Sequence, residues 1–570
     1  MIEKKNVRKT CTVEHTTTMY GPEAFFFLQV TDTEAKYYKY LGFIIVFIRI
    51  FSYCTSSSCI VNTMLRRFYS SSIKSNLQTL SVIKNQELIK TVPYIGGEFI
   101  SANGPKFGVT NPFDGTTLTD VTATSESQLS IAFENTATSF EAFKKTTPRW
   151  RSRLLRKLND AILANADDLA KLMTLENGKP LADSLGEVKY GASFMEWFSE
   201  EAPRLNGEII YSSDPRKRIY AYRVPVGAVG ILTPWNFPLA MITRKLGAAI
   251  AAGCTTIIKP AAETPLTALA FAKICEDVGV PAGVVNIVPV EYERTPEFGT
   301  RYCESPHLRK ISFTGSTKIG KLLYQQSAST VKKMSMELGG NSPFVVSNKI
   351  NDLEKAVDGL IAAKFRSSGQ TCVCVNRVYL HDAIYDDFVK LLLEKLKRNT
   401  RLGPGMDPSV THGPLIHERA LNKVAGLVDD AISKGAQVLL GGKKRPDLGP
   451  NFYDLTVLGD VTPEMKIYET EIFGPVASLI RYSGSMESLL LQANRNSEDV
   501  GLAAYVFSDD VKECRIAQEG LDFGMVGINT GLISEAALPF GGVRCSGFGR
   551  EGSVYGIDEY TVVKSIVEHV

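Results

Sequence analysis

Five short segments carry residues able to do chemistry together. Cys372 lies in SSGQTCVCVNR, flanked by Gly369, Gln370 and Thr371. That setting suits a loop or a helix start, where the helix dipole would lower the thiol pKa and favour a nucleophilic thiolate. Taken alone, one cysteine is more often a small buried apolar residue. Glu337, 35 positions earlier in SMELGGNSPF, is a carboxylate between Met336 and Leu338. Burial there would raise its pKa towards that of a general base, whereas a cap or an ion pair is the plainer role. Asn236 is bracketed by Pro234 and Pro238 in LTPWNFPLAMITRK. A rigid loop of this kind can aim an amide NH2 at an oxyanion, or simply form an Asx turn. Lys259 follows the apolar run TTII, at the rim where open α/β sheets bind ligands. In FTGSTKIG, Phe313 to Gly320, a strand leads into a helix whose amino terminus can face a pyrophosphate. The segment lacks the G-x-G-x-x-G pattern and is weak by itself.

Elements to position these residues are legible around them. YIGGEFI from Tyr94 reads as a hairpin with Gly96-Gly97 at its turn, and structured sequence is expected to begin there. Apolar residues at helical spacing run from Glu126 to Asn177, where Asn-Gly-Lys-Pro stops them. IYAYRV, 219–224, has strand character after a turn at Asp214-Pro215. VGAVGILT, TTIIKP, GVVNIVP and KISFTG are then strand candidates, with helices expected at 267–278 and 318–328. A second set has PFVVS, RVYLH and VASLI as strands and 352–365 and 384–396 as helices. This alternation predicts an α/β fold with parallel sheets. DEYTVVKSIV reads as a last strand.

Composition narrows the class. The chain has 570 residues, 44% hydrophobic and 22% charged, which excludes a disordered chain, a collagen and a coiled-coil rod. A formal net charge of +3 gives no electrostatic case for nucleic acid as the main partner. Ten cysteines without C-x-x-C spacing predict neither a disulfide framework nor a metal site. Residues 35–86 contain no Asp or Glu but several Lys, Arg and Ser, the composition of a mitochondrial transit peptide. The apolar run 41–51 is too short to span a membrane, so no stable insertion is expected. Met64 opens MLRRFYSSS, which itself resembles a transit peptide and would place the mature start near Ser70. Residues 1–90 are accordingly read as a targeting or disordered extension, with Met64 as the candidate true start. Mitochondrial matrix is the expected location and cytoplasm the alternative.

PWNFP, FTGST, MELGG, GQTC and EIFGP occur in one order along this chain. From about residue 92 onward it resembles the aldehyde dehydrogenase superfamily. The resemblance implies a Rossmann-like cofactor domain (91–208 and 226–337), an α/β catalytic domain (338–545) and a small β oligomerisation flap (209–225 and 546–570). It implies a homotetramer or a homodimer. It makes Cys372 the nucleophile on an aldehyde, Asn236 an oxyanion donor and Glu337 the base for thioester hydrolysis. Trp235, Lys259, Ala262, Gly315, Ser316, Gly320, Glu471 and Phe473 would bind NADP or NAD. NAD-preferring relatives place Glu where Ala262 stands, so NADP is expected to be accepted; Glu263, one residue on, is the counter-argument.

EWFSEEAPRLNGEII, KFRSSGQTCVC and GREGSVYGIDEY resemble the succinate-semialdehyde branch of that family. By that likeness Arg244, Arg366 and Ser546 bind a substrate carboxylate, and the route served is 4-aminobutyrate breakdown. Guanidinium suits that task, since it pairs with carboxylate through two parallel hydrogen bonds. A glutarate-semialdehyde dehydrogenase is the nearest alternative, and a cysteine-dependent thioester hydrolase or acyltransferase the alternative of another class. Cys374 forms a C-x-C pair with Cys372, a candidate regulatory disulfide or an inert buried thiol.

Overall fold

The computed structural model describes residues 79–101 and 104–570. The apolar run 41–51, the candidate start Met64 and Ser70 lie outside the described residues. Packing begins earlier than predicted. Leu80, Ile83 and Leu88 are buried in the first core, and the backbone N–H groups of Lys84 and Asn85 donate to the Asp168 carboxylate at 2.9 and 2.8 Å. The expected extension to residue 90 is therefore too long. Its last twelve residues are held by a carboxylate on a distant helix, which no local pattern reveals.

Eight strands form the first sheet, in the order Glu98–Phe99, Tyr94–Ile95, Val285–Ile287, Thr255–Lys259, Ala228–Leu232, Lys310–Thr314, Lys333–Glu337 and Gly547–Phe548. The five central strands are parallel. At the 94–99 hairpin, Gly96 and Gly97 have φ of 65° and 92°, a turn that disfavours residues with a Cβ. Helices Glu126–Phe143, Pro148–Ala164 and Ala166–Asn177 follow the apolar period read from sequence. Gly178, at φ 85°, ends the third.

Seven strands form the second sheet, parallel apart from one edge pair: Gln437–Leu440, Thr456–Gly459, Val476–Tyr482, Val375–His381, Ser342–Val346, Ala503–Phe507 and Met525–Ile528. A third, antiparallel sheet joins Thr561–His569, Lys217–Pro225 and Glu208–Tyr211. The tail divides differently from the expected break at 546. Gly547–Phe548 pairs with Lys333–Glu337 in the first sheet, and only Thr561–His569 enters the third. Among the described residues no helix is long and apolar enough to cross a membrane.

One connection decides where chemistry can occur. The chain leaves the first sheet at Glu337 and enters the second at Ser342, through Leu338, Gly339, Gly340 and Asn341. Ser342 is in register with Val375, the first residue of the neighbouring parallel strand. Cys372 stands three residues before Val375. The carboxyl end of one sheet thus faces the amino end of the other, with Glu337 and Cys372 on opposite sides of the seam.

Candidate active site

Cys372 is the one residue on the walls of both large cavities at this seam. It lies in a loop between helix Leu353–Lys364 and strand Val375–His381, not at a helix start. No helix dipole lowers its pKa; burial instead pushes the thiol up to about 12, against the pull of the Arg244 guanidinium. The loop is strained: Ser367, Ser368 and Gly369 all have positive φ, at 50°, 53° and 72°. A side chain at Gly369 is impossible without movement, since its Cβ would lie 2.1 Å from the Gly474 carbonyl oxygen. Cys372 and Cys374 are both free thiols. Cys374 donates to the Lys364 carbonyl oxygen at 3.7 Å.

A cavity of about 210 Å³ opens on one side of Cys372. Tyr190, Phe237, Met241, Arg244, Arg366, Ser534 and Phe540 line it. Arg244 is only 2% exposed. Its Nε pairs with Glu551 Oε2 at 2.5 Å and its guanidinium lies 4.0 Å from the Phe540 ring centroid. Its Nη2 is buried and has no partner. Glu551 is shared with Lys245, which is fully buried. Arg366 makes no ion pair among the described residues and packs over Phe237 at 5.9 Å. Two guanidinium groups, one half-paired and one without an ion pair among the described residues, thus face a cavity whose wall also carries Asp183 and Glu187. Ser546, expected here, is elsewhere. Its hydroxyl donates to the Gly339 carbonyl (2.7 Å) and accepts from the Gly501 N–H (2.9 Å), so it ties backbone segments together. The serines on this wall are Ser367 and Ser534. The Ser534 segment, GLISEAALPFGG, matches no motif read from the sequence, and only the fold brings it here.

The other cavity, about 420 Å³, is lined by Trp235, Asn236, Thr314, Gly315, Ser316, Gly339, Glu471 and Phe473. His417, Arg419 and Lys423 also line it, and sequence reasoning missed all three. They lie on or just before helix Glu418–Ser433, whose sequence reads as an ordinary amphipathic helix. Helix Thr317–Ser327 starts at this wall, capped by Ser316, whose Oγ accepts from the Ile319 N–H at 3.4 Å. Gly320 is off the wall and lets the helix pack closely: a Cβ there would lie 2.3 Å from Leu338 Cδ2. Lys259 and Ala262 also lie off the wall. Lys259 Nζ donates to the Pro260 carbonyl at 2.7 Å, and burial pushes its pKa down to about 8. Glu263 faces His417 at 3.9 Å. The walls suit a dinucleotide. Thr314 Oγ1 is buried without a partner, a helix amino terminus faces inward, and at Gly339 a Cβ would press on Glu471 at 3.0 Å.

Asn236 and Glu337 complete the seam. Asn236 Nδ2 donates to the Gln370 carbonyl at 3.1 Å, leaving its second N–H. The Cys372 backbone N–H has no protein acceptor among the described residues. The proline-bracketed loop is locked from below. Lys179 Nζ donates to the Asn236 carbonyl at 2.6 Å and pairs with Glu187 at 2.5 Å, while Asn177 Nδ2 donates to the Trp235 carbonyl at 2.8 Å. Glu187 in turn accepts from the N–H groups of Leu239 and Ala240. Glu337 is 3% exposed and both its oxygens lack partners. Burial, with the Glu551 carboxylate nearby, holds its pKa well above the ordinary value, against Arg244 and Lys245. Seam and walls therefore offer a thiol, a carboxyl of raised pKa, two N–H donors, a cavity with two guanidinium groups and a second cavity with a helix amino terminus at its wall.

This combination defines a nicotinamide-dependent oxidoreductase that works through a cysteine. The aldehyde dehydrogenase family model matches residues 99–566, and the chain belongs to that family. It is 49% identical over 498 residues to "Succinate-semialdehyde dehydrogenase [NADP(+)] 1" of Schizosaccharomyces pombe, covering 87% of this chain and 98% of that one. It is 44% identical to the mitochondrial succinate-semialdehyde dehydrogenase of Oryza sativa, covering 90% and 94%. The crystal structure of succinate-semialdehyde dehydrogenase from Burkholderia pseudomallei superposes with a TM-score of 0.83 at 44% identity, covering 86% of this chain and all of that one.

Proposed function

We propose that the protein oxidises succinate semialdehyde to succinate with NADP, and with NAD less readily. The observation that carries this reading is the pair Arg244 and Arg366 on the wall of the cavity that ends at Cys372. A carboxylate bound there would complete the unpartnered Nη2 of Arg244 and give Arg366 its counter-ion, while the aldehyde end reaches the thiol. Ser534 adds a hydroxyl donor.

Glu337, with its raised pKa, is suited to take the thiol proton. Cys372 Sγ then bonds to the aldehyde carbon, and the oxyanion of the thiohemiacetal accepts from the free Asn236 N–H and the Cys372 backbone N–H. Trp235, Glu471 and Phe473 would hold the nicotinamide nucleotide, which would supply the acceptor for the hydride that the thiohemiacetal carbon loses on becoming a thioester. Once Glu337 has lost the thiol proton to solvent, it takes a proton from water, whose oxygen attacks the thioester carbon; the carbon–sulfur bond breaks, Glu337 returns that proton to the Cys372 thiolate, and succinate leaves with its acid proton lost to solvent. Tyr190, Phe237, Met241 and Phe540 on the same wall favour a short chain with one charged end.

Location and assembly follow the same reading. The basic, acid-poor stretch before the first packed residue supports import into mitochondria, and relatives from rice, mouse and human carry that location in their names. The third sheet exposes Ile209, Tyr211, Val563 and Val567, which supports a homotetramer or homodimer built through it.

The test is kcat/KM for succinate semialdehyde against butanal, the uncharged aldehyde of equal carbon number, with NADP and then NAD. At least a tenfold preference for the semialdehyde, about 1.4 kcal/mol, is expected, with NADP the better cofactor. Equal rates for the two aldehydes would remove the substrate assignment and leave the aldehyde chemistry standing.

A further inference from the structure

We infer that Asp183 is a positioning residue that fixes the Ser367 end of the active-site turn, next to Arg366, and so couples carboxylate recognition to the nucleophile. Asp183 lies in the first turn of helix Leu181–Glu201 and on the wall of the substrate cavity. Its Oδ2 accepts from the Ser367 N–H at 3.1 Å and faces the Ser367 hydroxyl at 3.5 Å. Ser367 is the first of three successive residues in the left-handed region, two of which carry a Cβ. Such a run is unfavourable for L-residues and persists only where the surroundings over-determine it.

The other positions of the turn are held by backbone groups and by the neutral Asn236 amide, which donates to the Gln370 carbonyl at 3.1 Å. Ser368 Oγ donates to the Gly413 carbonyl at 2.8 Å, and Gln370 accepts from the Ile416 N–H at 3.0 Å. Asp183 is the one charged side chain that grips the turn. Arg366 immediately precedes the gripped residue, and Cys372 follows it by five. A rigid turn with Arg366 at one end and Cys372 at the other fixes the span between guanidinium and thiol. That span sets which length of ω-carboxy-aldehyde reacts. A carboxylate inside a cavity meant for an anion is otherwise counterproductive, because it repels the ligand. Its presence is explained by the two donors on Ser367.

The inference rests on the carboxylate-binding reading of Arg366, so its test carries an arm independent of that reading. Asp183→Asn keeps an accepting oxygen for Ser367 and removes the charge; Asp183→Ala removes both. Each is assayed with succinate semialdehyde and with butanal, and each is titrated with iodoacetamide without substrate. Asp183→Ala is expected to lose about a hundredfold in kcat/KM for the semialdehyde and about tenfold for butanal. It should also change the alkylation rate of Cys372 at least threefold, and Asp183→Asn should stay within threefold of the parent in all assays. Two results would overturn the inference. One is an Asp183→Asn variant as impaired as Asp183→Ala, which would make charge rather than the grip on Ser367 the cause. The other is an Asp183→Ala variant with a lower melting temperature but unchanged alkylation rate and unchanged ratio between the aldehydes. If the parent enzyme does not discriminate between the aldehydes, the substrate reading fails, while the alkylation arm and the butanal rates still judge the turn.

Discussion

The two cavities that meet at Cys372 are built by opposite means. The cofactor side is shaped chiefly by backbone: a helix amino terminus capped by Ser316, Gly315 and Gly339 at the wall, and Gly320 permitting the helix to close on Leu338. The substrate side is shaped by buried charge. Arg244, Lys245 and Glu551 lie within the core, Glu337 stands beside them, and Arg366 stands unpaired at the wall. Backbone features suit the phosphates that any dinucleotide presents, and there they would need no particular side chain. Side-chain charge reads one feature of one substrate, and it makes each such residue answerable to its neighbours.

The largest effect should come from the residue both sides share. Cys372→Ala is expected to lower turnover at least a thousandfold while leaving the NADPH dissociation constant, followed by nucleotide fluorescence, within threefold. If nucleotide binding collapsed with turnover, the cavities would not be separable at Cys372. The thiol also carries a pH signature. Its folded pKa is raised, so thiolate is scarce at pH 7 and increases about tenfold per pH unit. Alkylation by iodoacetamide should therefore still be rising at pH 9; a plateau below pH 8 would mean that burial does not dominate the thiol.

Next come the two arginines, which should part company. Arg366→Met removes an unpaired charge. It is expected to lower kcat/KM for succinate semialdehyde about a hundredfold, near 3 kcal/mol, to leave butanal within threefold and to preserve the melting temperature. Arg244→Met removes the same recognition but strips Glu551 of one of its two buried cations. Breaking a buried pair typically costs about 3–5 kcal/mol, so this variant should lose substrate preference and melt at lower temperature. Equal thermal behaviour of the two variants would count against the buried cluster as a unit.

How much of this was legible before folding follows the same division. Backbone-shaped features leave local marks: Gly96-Gly97, the Asn-Gly-Lys-Pro stop and the alternation of apolar runs coincide with a hairpin turn, a helix end and the strands of the fold. Side-chain networks do not. Lys179 in a helix-ending turn and Glu187 on the next helix look like ordinary charges, yet they pin the Asn236 loop. Leu80, Ile83 and Leu88 were hidden in a stretch that reads as a leader, because the Asp168 carboxylate that anchors it is over 80 residues away. The expected lowering of the Cys372 pKa assumed a helix start that the chain does not make.

The smallest effect tests the one substrate residue that sequence misplaced. Ser534 and Ser546 are twelve positions apart in one glycine-rich tail. Ser534 faces the substrate cavity, whereas Ser546 spends its hydroxyl on Gly339 and Gly501. Removing a hydroxyl that touches a charged ligand is worth about 1.5 kcal/mol. Ser534→Ala should thus lower kcat/KM for succinate semialdehyde about tenfold, through KM, and leave butanal and the melting temperature unchanged. Ser546→Ala strands a buried N–H at Gly501 and a buried carbonyl at Gly339, a penalty of about 1–3 kcal/mol on folding. It should melt earlier and keep the parent's ratio between the two aldehydes. The opposite pattern, with selectivity lost at Ser546 and stability at Ser534, would mean that Arg244 and Arg366 meet their carboxylate from the other side of the seam.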